Sequence, residues 1–169
     1  MKKIYLLLFV VAFSFSGCEK DDICDATTAT TPRLVIDFYD VNVTTPTLKT
    51  VTNLGIVAPG LSTGISYNGV SRVYVPLKTT EDSTTMYFIQ NGSDGDTTND
   101  NTDILTFNYT RNNIYVSRAC GYKTLFNLNT TNPILQTEPA TPDGAWIQNI
   151  VILKPNLETE NEVHVQIYF

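Results

Sequence analysis

Apolar and polar residues alternate along most of the chain after residue 33, and the spacing that recurs is two. In the first such run Leu34, Ile36 and Phe38 fall on one face. A period of two is typical of β-strands that bury a single face. No ten-residue window after Cys18 places apolar residues convincingly at helical spacing. The pattern therefore predicts an all-β domain.

The apolar runs predict eight or nine short strands, with turn signals every 8 to 14 residues. Asn68-Gly69 and Asn112-Asn113 predict tight turns, the second of them in a two-residue hairpin. We expect a loop over Asn91–Asp103, and the three prolines within Asn129–Gly144 exclude a central strand there. The predicted strands cover residues 34–39, 48–57, 72–77, 86–90, 104–110, 114–118, 122–128, 146–153 and 163–169.

This spacing favours an antiparallel β-sandwich, immunoglobulin-like, fibronectin-like or related. A small outer-membrane barrel is the runner-up, because the alternation from Val163 to the terminal Phe169 imitates the closing strand of such barrels. Strands that span a membrane need about 9–11 residues, and most segments here have five to eight. The sandwich is therefore the preferred fold.

The start of the chain has the composition of an export signal. Lys2 and Lys3 precede a 12-residue apolar run, Ile4 to Phe15, and small residues lead to Cys18. This arrangement predicts a lipoprotein signal peptide over residues 1–17, whose cleavage leaves Cys18 as an acylated N-terminus. The alternative is a transmembrane anchor, which would need nearer 20 apolar residues.

Four charged residues follow the cysteine: Glu19, Lys20, Asp21 and Asp22. They resemble the short tag that Bacteroidota lipoproteins carry when they are exported to the outer face of the outer membrane. The alternative is a solvated tether on the periplasmic face. We therefore expect a protein held in the outer membrane by its acyl chains and facing the cell exterior.

The predicted organisation is a signal peptide (1–17), an acylated N-terminus with a short tether (18–32) and one domain (33–169). The net charge of the whole chain is −6, and removal of Lys2 and Lys3 makes it −8. An acidic surface repels phosphate backbones, and no basic stripe with interleaved aromatic residues is present. Nucleic-acid binding is therefore excluded.

Two cysteines remain once Cys18 carries the lipid. An even number of cysteines in an oxidising compartment favours a disulfide between Cys24 and Cys120. The loop it closes would stabilise the fold by about 4–5 kcal/mol in the chain-entropy model. The alternative is two buried free thiols.

Several segments together resemble a family of small uncharacterised Bacteroidota lipoproteins, a domain of unknown function. The segments are Cys18–Cys24, Thr31–Leu34, Asn108–Arg111 and Arg118–Lys123. The resemblance implies membrane anchoring, a β-rich domain and the Cys24–Cys120 pair, and it implies no activity. It also hints at an outer-membrane β-barrel protein as a partner.

Catalysis has few candidate residues. His164 alternates with Val163 and Val165, so we expect it to point away from the core, and no local serine-nucleophile motif is present. The thiol of Cys120 has two cations nearby, yet a partnered structural cysteine is the better interpretation in an oxidising compartment. The sequence predicts a non-catalytic protein without a cofactor.

Metal ligands of the zinc type are too few, since the chain has one histidine and no Cys-x-x-Cys motif. Calcium is the stronger candidate, because one predicted loop is rich in carboxylates. The spacing breaks the helix-loop-helix calcium motif at Thr98 and Asn99, which favours an acidic turn instead. The calcium candidates are Asp94, Asp96, Asp100 and Asp103.

Sugar binding would use flat aromatic rings on an exposed face. Trp146, followed by Ile147, is assigned to the core, whereas the tyrosines cannot be divided between core and surface before the strands are paired; they are Tyr67, Tyr74, Tyr87, Tyr109, Tyr115 and Tyr122. Ser83 and Thr97, both in predicted turns, match a short acceptor sequence for O-glycosylation.

These features lead to one expected function and one rival. The first is a lipid-anchored binding or envelope-assembly module that acts through its sheet faces and loops. The rival is a surface protein that binds or hydrolyses glycans. Hydrolysis would need two carboxylates at a working separation.

Overall fold

A computed structural model describes residues 23–169, and these residues form strands, turns and loops without any helix. The all-β prediction is confirmed, with eleven strands rather than eight or nine. They are β1 (Leu34–Tyr39), β2 (Leu54–Val57), β3 (Ile65–Tyr67), β4 (Arg72–Val75), β5 (Ser83–Gln90), β6 (Asn101–Ser117), β7 (Gly121–Leu128), β8 (Ile134–Thr137), β9 (Asn149–Ile152), β10 (Asn156–Leu157) and β11 (Val165–Tyr168).

The strands form two sheets in a sandwich-like arrangement. The first sheet has the order β4-β1-β11-β9, and the second has the order β10-β7-β6-β5-β2-β3, with β8 also paired to β6. The expected antiparallel pairing is wrong at one place, because β1 and β11 run parallel from Ile36↔Val165 to Tyr39↔Tyr168. The first and last strands of the domain are thus neighbours in the middle of one sheet.

The core lies between the sheets and is filled by aliphatic and aromatic side chains. Phe38 stacks near Trp146, with ring centroids 6.2 Å apart, and Phe169 meets Trp146 edge-on at 5.4 Å. Phe88 and Phe107 pack across the second sheet at 6.3 Å. The assignment of Trp146 to the core is confirmed, since it is buried and its indole Nε1–H donates to the Phe88 carbonyl at 3.0 Å.

An ion pair between a buried carboxylate and a partly exposed arginine joins β1 and β4 of the first sheet. Asp37 lies directly opposite Arg72 in the β1–β4 register, and the guanidinium donates to both carboxylate oxygens, at 2.6 and 2.8 Å. The Asp37 side chain is only 4% exposed. A carboxylate this deep in a sheet is tolerated because the bidentate contact replaces its lost hydration.

The predicted turn at Asn112-Asn113 is wrong, because β6 continues through both residues to Ser117. A two-residue hairpin turn of the expected type needs positive φ at both central positions, and neither asparagine has it. The chain reverses at Arg118–Cys120 instead, where Gly121 takes a φ of +69°. The polar loop ends at Asp100, three residues earlier than expected, because β6 begins at Asn101.

Strand β6 is 17 residues long and changes partners halfway along. Residues 101–108 pair with β5, whereas residues 109–117 pair with β7. The second half of β6 and the whole of β7 therefore extend beyond the end of β5. We call residues 109–128 the distal hairpin. Strand β8 follows β7 on the same side of β6 and pairs with residues 104–107.

Candidate functional site

The distal hairpin ends in the only disulfide that the described residues contain. Cys120 lies in the turn between β6 and β7 and is bonded to Cys24, with the two Cα atoms 4.9 Å apart. Its backbone N–H donates to Ser117 Oγ at 3.0 Å, which closes the turn. The structure thus forms the pair that the cysteine count predicted, and it places the start of the described chain at the hairpin tip.

From the tip, the segment 24–33 returns to the body of the sandwich along the edge of β7. Thr124 N–H donates to Thr31 Oγ1 at 3.0 Å, two residues before the far end of this segment. At the far end Arg33 donates to both carboxylate oxygens of Glu160, at 2.8 and 2.6 Å. The Arg33 contact holds the pKa of Glu160 below its usual value. The segment is therefore fixed at Cys24 at one end and at Thr31 and Arg33 at the other.

Two tyrosines form an exposed aromatic pair near the tip. Tyr115 and Tyr122 are directly opposite in the β6–β7 register, with ring centroids 5.4 Å apart in an edge-to-face arrangement. They are 54% and 70% exposed, although they share a strand face with the buried Tyr109 and Phe126. The face that belongs to the core thus continues past the core and into solvent. Sequence periodicity predicts which residues share this strand face, but it does not show where along the strands the face ceases to be buried.

A shallow groove of ≈ 450 Å³ lies between Tyr115 and the segment that contains Cys24. Its lining includes Ile23, Tyr115 and Cys120, and Ile23 is 82% exposed, the most exposed large apolar residue that the structure describes. Asp25 lies on the same wall and accepts hydrogen bonds from the backbone and hydroxyl of Thr27, which lower its pKa. The groove joins apolar surface to a few polar groups.

The charge of the distal hairpin differs from that of the rest of the chain. Residues 109–128 contain Arg111, Arg118 and Lys123 and no acidic residue, within a protein whose net charge is −6. Arg111 donates to Asp82 at 2.7 Å, at the point where the hairpin leaves the body. The distal hairpin is therefore a locally basic part of an acidic molecule, and Asp25 of the adjoining segment is the acidic residue that lines the groove at its tip.

The acidic loop, residues 91–100, lies at the opposite end of β6. Asp94 Oδ1 accepts from the Asp96 N–H, and Asp96 Oδ1 accepts from Thr98, so both carboxylates close local turns. Burial, followed by the nearby charges of Asp94, Asp96 and Asp143, raises the pKa of Asp100. Within residues 23–169 no three side chains of the metal-ligating types are grouped so that they could hold an ion.

Asp103 does not belong to that loop, and its place among the calcium candidates is wrong. It lies in β6, is fully buried, and accepts hydrogen bonds from the backbone N–H groups of Trp146 and Ile147, at 2.9 and 2.8 Å, and from Gln136 Nε2 at 2.8 Å. Both carboxylate oxygens are thus used to hold the 145–148 segment against the second sheet. No sequence motif marks this role.

His164 is buried, so the expectation that it points away from the core is wrong. Its Nδ1 accepts the Val35 N–H at 3.0 Å, and burial lowers its pKa despite nearby Glu162 and Glu160. Strand β11 begins only at Val165, so the alternation with Val163 does not apply. A neutral imidazole whose Nδ1 already accepts a backbone N–H is a structural group.

The glycosylation candidates have different surroundings. Thr97 is exposed in the acidic loop, as expected, whereas Ser83 is half-buried and opens β5 opposite Asn108 rather than lying in a turn. The predicted lipidation site Cys18 and the predicted export residues 19–22 lie outside the described residues. No helix within residues 23–169 is long and apolar enough to cross a bilayer.

Comparison with known proteins identifies the family to which this chain belongs. A family of unknown function, DUF6452, matches residues 50–169. The chain belongs to this family. The match covers the distal hairpin and Cys120 but not Cys24 or the segments before residue 50 that carried part of the resemblance. Searches of curated proteins and of solved structures found no match.

Proposed function

We propose that the protein is an exported lipoprotein, acylated at Cys18 and held in the outer membrane with its domain facing the cell exterior, where it acts as a non-catalytic binding or assembly module. The observation that carries this proposal is the Cys24–Cys120 disulfide. Disulfides of this kind persist in oxidising compartments, which agrees with the export signal in residues 1–17.

The surroundings of the potential catalytic groups support a non-catalytic role. The acceptor nitrogen of His164 is occupied by Val35 N–H, and the sulfur of Cys120 is in the disulfide. The buried carboxylates Asp37 and Asp103 are each engaged by protein donors. A general acid or base must reach a substrate, and none of these four groups is placed to do so.

Metabolic labelling tests the anchor. Cells grown with an alkyne analogue of palmitate should incorporate label into the wild-type chain, and Cys18→Ser should abolish it and leave the precursor uncleaved. Cys24→Ser is the matched control, because it removes a nearby cysteine and should keep the label. Label that persists in Cys18→Ser would contradict the proposal.

Protease shaving of intact cells tests the membrane face, and crosslinking in the same cells tests the partner. Surface exposure predicts loss of the domain to added protease without lysis. An outer-membrane β-barrel protein is the partner that the sequence resemblance suggests, and it should be recovered with the crosslinked wild-type chain. Protection of the domain until lysis would place it on the periplasmic face.

Glycan binding is the second candidate, and the exposed Tyr115–Tyr122 pair favours it. Amphipathic rings with a polar edge are the usual contacts for sugar faces. Retention on immobilised envelope polysaccharide that is lost in Tyr115→Ser/Tyr122→Ser would support this function. If the wild-type chain is not retained, glycan binding is wrong as the second candidate function.

A further inference from the structure

We propose that the tip of the distal hairpin is a membrane-contact surface, and that Ile23, Tyr115 and Tyr122 lie in the headgroup region of an anionic phospholipid bilayer. This inference rests on the proposed function, because in the cell an acyl group at Cys18 is what brings the tip to a membrane. It assigns an orientation and a lipid contact that anchoring alone does not require.

The first argument is reach. Cys18 precedes Cys24 by six residues, and a chain of that length spans at most about 20 Å when fully extended. Because Cys24 is bonded to Cys120, the hairpin tip stays within that distance of the acylated residue whatever path the chain takes. Without the disulfide, the first fixed point near the body would be Thr31 or Arg33.

The second argument is the chemistry of the surface within that reach. Ile23 and Tyr115 are strongly exposed and line one groove, and the exposed Tyr122 packs against Tyr115 beside it. Exposed apolar surface of this kind would lose contact with water on entering a lipid interface. Tyrosine is enriched at the boundary between headgroups and acyl chains, since its ring is apolar and its hydroxyl remains hydrated. The edge-to-face pair presents two such rings together.

The third argument is charge. Residues 109–128 carry three basic residues and no acidic one, whereas the chain as a whole is acidic. Basic residues near an anionic membrane surface contribute about 1 kcal/mol each, within a Debye length. The acidic loop is at the far end of a 17-residue strand, about 50 Å away, so repulsion from the same surface is small there. Arg111 is paired with Asp82 at the base of the hairpin and Asp25 lies in the tip groove, so the tip has Arg118 and Lys123 against one aspartate. The acidic loop has Asp94, Asp96 and Asp100 and no basic residue, so charge favours the tip over that loop as the end that faces anionic lipid.

Fluorescence quenching by brominated lipids tests this contact. The mature chain, from residue 18 with Cys18→Ser and an N-terminal histidine tag, would be held on vesicles of phosphatidylethanolamine, phosphatidylglycerol and a nickel-chelating lipid. Trp146 is the single native tryptophan, buried in the body, and sets the baseline. Tyr122→Trp places a reporter at the tip, and Thr97→Trp places a matched one in the acidic loop.

We expect lipids brominated near the headgroup to quench Tyr122→Trp at least about twofold more than Thr97→Trp, as the interfacial preference of aromatic rings requires. The excess should shrink when phosphatidylglycerol is omitted or salt is raised. The excess quenching at position 122 should also shrink when Tyr122→Trp is combined with Cys24→Ser/Cys120→Ser. Circular dichroism of this variant checks that the sheets are still formed.

Equal quenching at positions 97 and 122 would overturn the membrane contact. Equal quenching together with tyrosine-dependent retention on polysaccharide would assign the same rings to glycan binding. The tag holds the chain on the vesicle without acylation, so the two proposals fail separately. If palmitate labelling is absent but lipids strongly quench the tryptophan at position 122, the proposed acyl anchor is wrong and the proposed lipid contact is supported.

Discussion

Asp103 receives the backbone N–H of Trp146 on the same carboxylate oxygen that receives the N–H of Ile147, at 2.9 and 2.8 Å. The contact joins β6 of the second sheet to a segment that carries the largest side chain of the core. One buried carboxylate therefore fixes the position of Trp146 between the two sheets.

Replacing this carboxylate should destabilise the fold strongly. Asp103→Ala leaves three donors without their acceptor in a buried site, and each such group costs about 1–3 kcal/mol. We expect urea denaturation to show a loss of about 3 kcal/mol or more in the free energy of unfolding. The fluorescence spectrum of the folded variant should show Trp146 emission shifted to the red. Asp94→Ala, which removes an exposed turn acceptor, is the control and should cost less than about 1 kcal/mol. Similar midpoints for the two variants would contradict this role.

The two arginine–aspartate pairs should differ in strength. Arg72 and Arg111 contact their partners through Nε at 2.6 and 2.7 Å, yet the Asp37 side chain is 4% exposed and that of Asp82 is 69% exposed. Arg72→Ala would strand a buried carboxylate and should cost about 2–4 kcal/mol, reduced somewhat by the exposure of Arg72. Arg111→Ala should cost at most about 1 kcal/mol. Chemical denaturation of both variants measures the contrast, and equal losses would argue against it.

His164 should make stability depend on pH. Burial lowers the pKa of His164 in the folded state below its ordinary value of 6.5. As the pH falls below 6.5, the unfolded chain therefore binds a proton at this residue more readily than the folded protein does. The contribution is therefore fully present above pH 6.5 and is lost as the pH falls through the lower, folded-state pKa. Protonation would also break the Val35 contact, because Nδ1 could no longer accept.

The measurement is the free energy of unfolding between pH 7 and pH 5. The wild-type slope from this group cannot exceed about 1.4 kcal/mol per pH unit, the value for one proton. His164→Gln keeps an acceptor for Val35 and does not titrate, so its slope in this window should be smaller. Identical slopes would show that other groups carry the dependence.

Reduction of the disulfide should destabilise the domain. A bond between residues 96 positions apart removes about 4.7 kcal/mol of unfolded-chain entropy in the loop-closure model. The measured loss on reduction should be about 2–4 kcal/mol, because an unfolded chain that retains some structure gains less freedom on reduction than the model assumes. Unfolding followed with and without reductant measures it. The Cys24→Ser/Cys120→Ser variant should match the reduced protein and no longer respond to reductant.

Removal of divalent cations should leave the melting temperature unchanged. The oxygens of Asp103 are occupied by protein donors, and Asp94 and Asp96 close local turns. A ligand that binds only the folded state would raise the melting temperature, and the rise would grow with the logarithm of ligand concentration above its dissociation constant. Thermal scans with calcium and with chelator measure this. A drop of several degrees in chelator would restore the acidic loop as a calcium site.

Local sequence patterns predicted the parts of this fold that depend on neighbouring residues. The alternation in Leu34–Tyr39 identified β1, and the cysteine count identified the disulfide. The parallel contact of β1 with β11 joins residues about 130 positions apart, and no local period carries that information. For the same reason, the long β6 was divided at Asn112-Asn113, where local turn preference was outweighed by continuous pairing with β7.

The candidate site shows the same division. Periodicity placed Tyr115 and Tyr122 on strands, but their exposure depends on where the core face of the second sheet ceases to be covered, which is a property of the assembled sandwich. The alternation around His164 predicted the wrong direction because the strand begins one residue later. The role of Asp103 depends on donors more than 30 residues away. Burial by distant segments decided all three.

Cys24 is joined to the domain both by its backbone and by its disulfide to Cys120, which has a mechanical consequence for a chain anchored at Cys18. A pull on the domain divides there between two routes, one through the sulfur bridge into the end of the distal hairpin and one through residues 25–33 into β1, an inner strand of the first sheet. Tension therefore reaches both halves of the sandwich at once, and neither sheet can be drawn away from the anchor while the other stays attached.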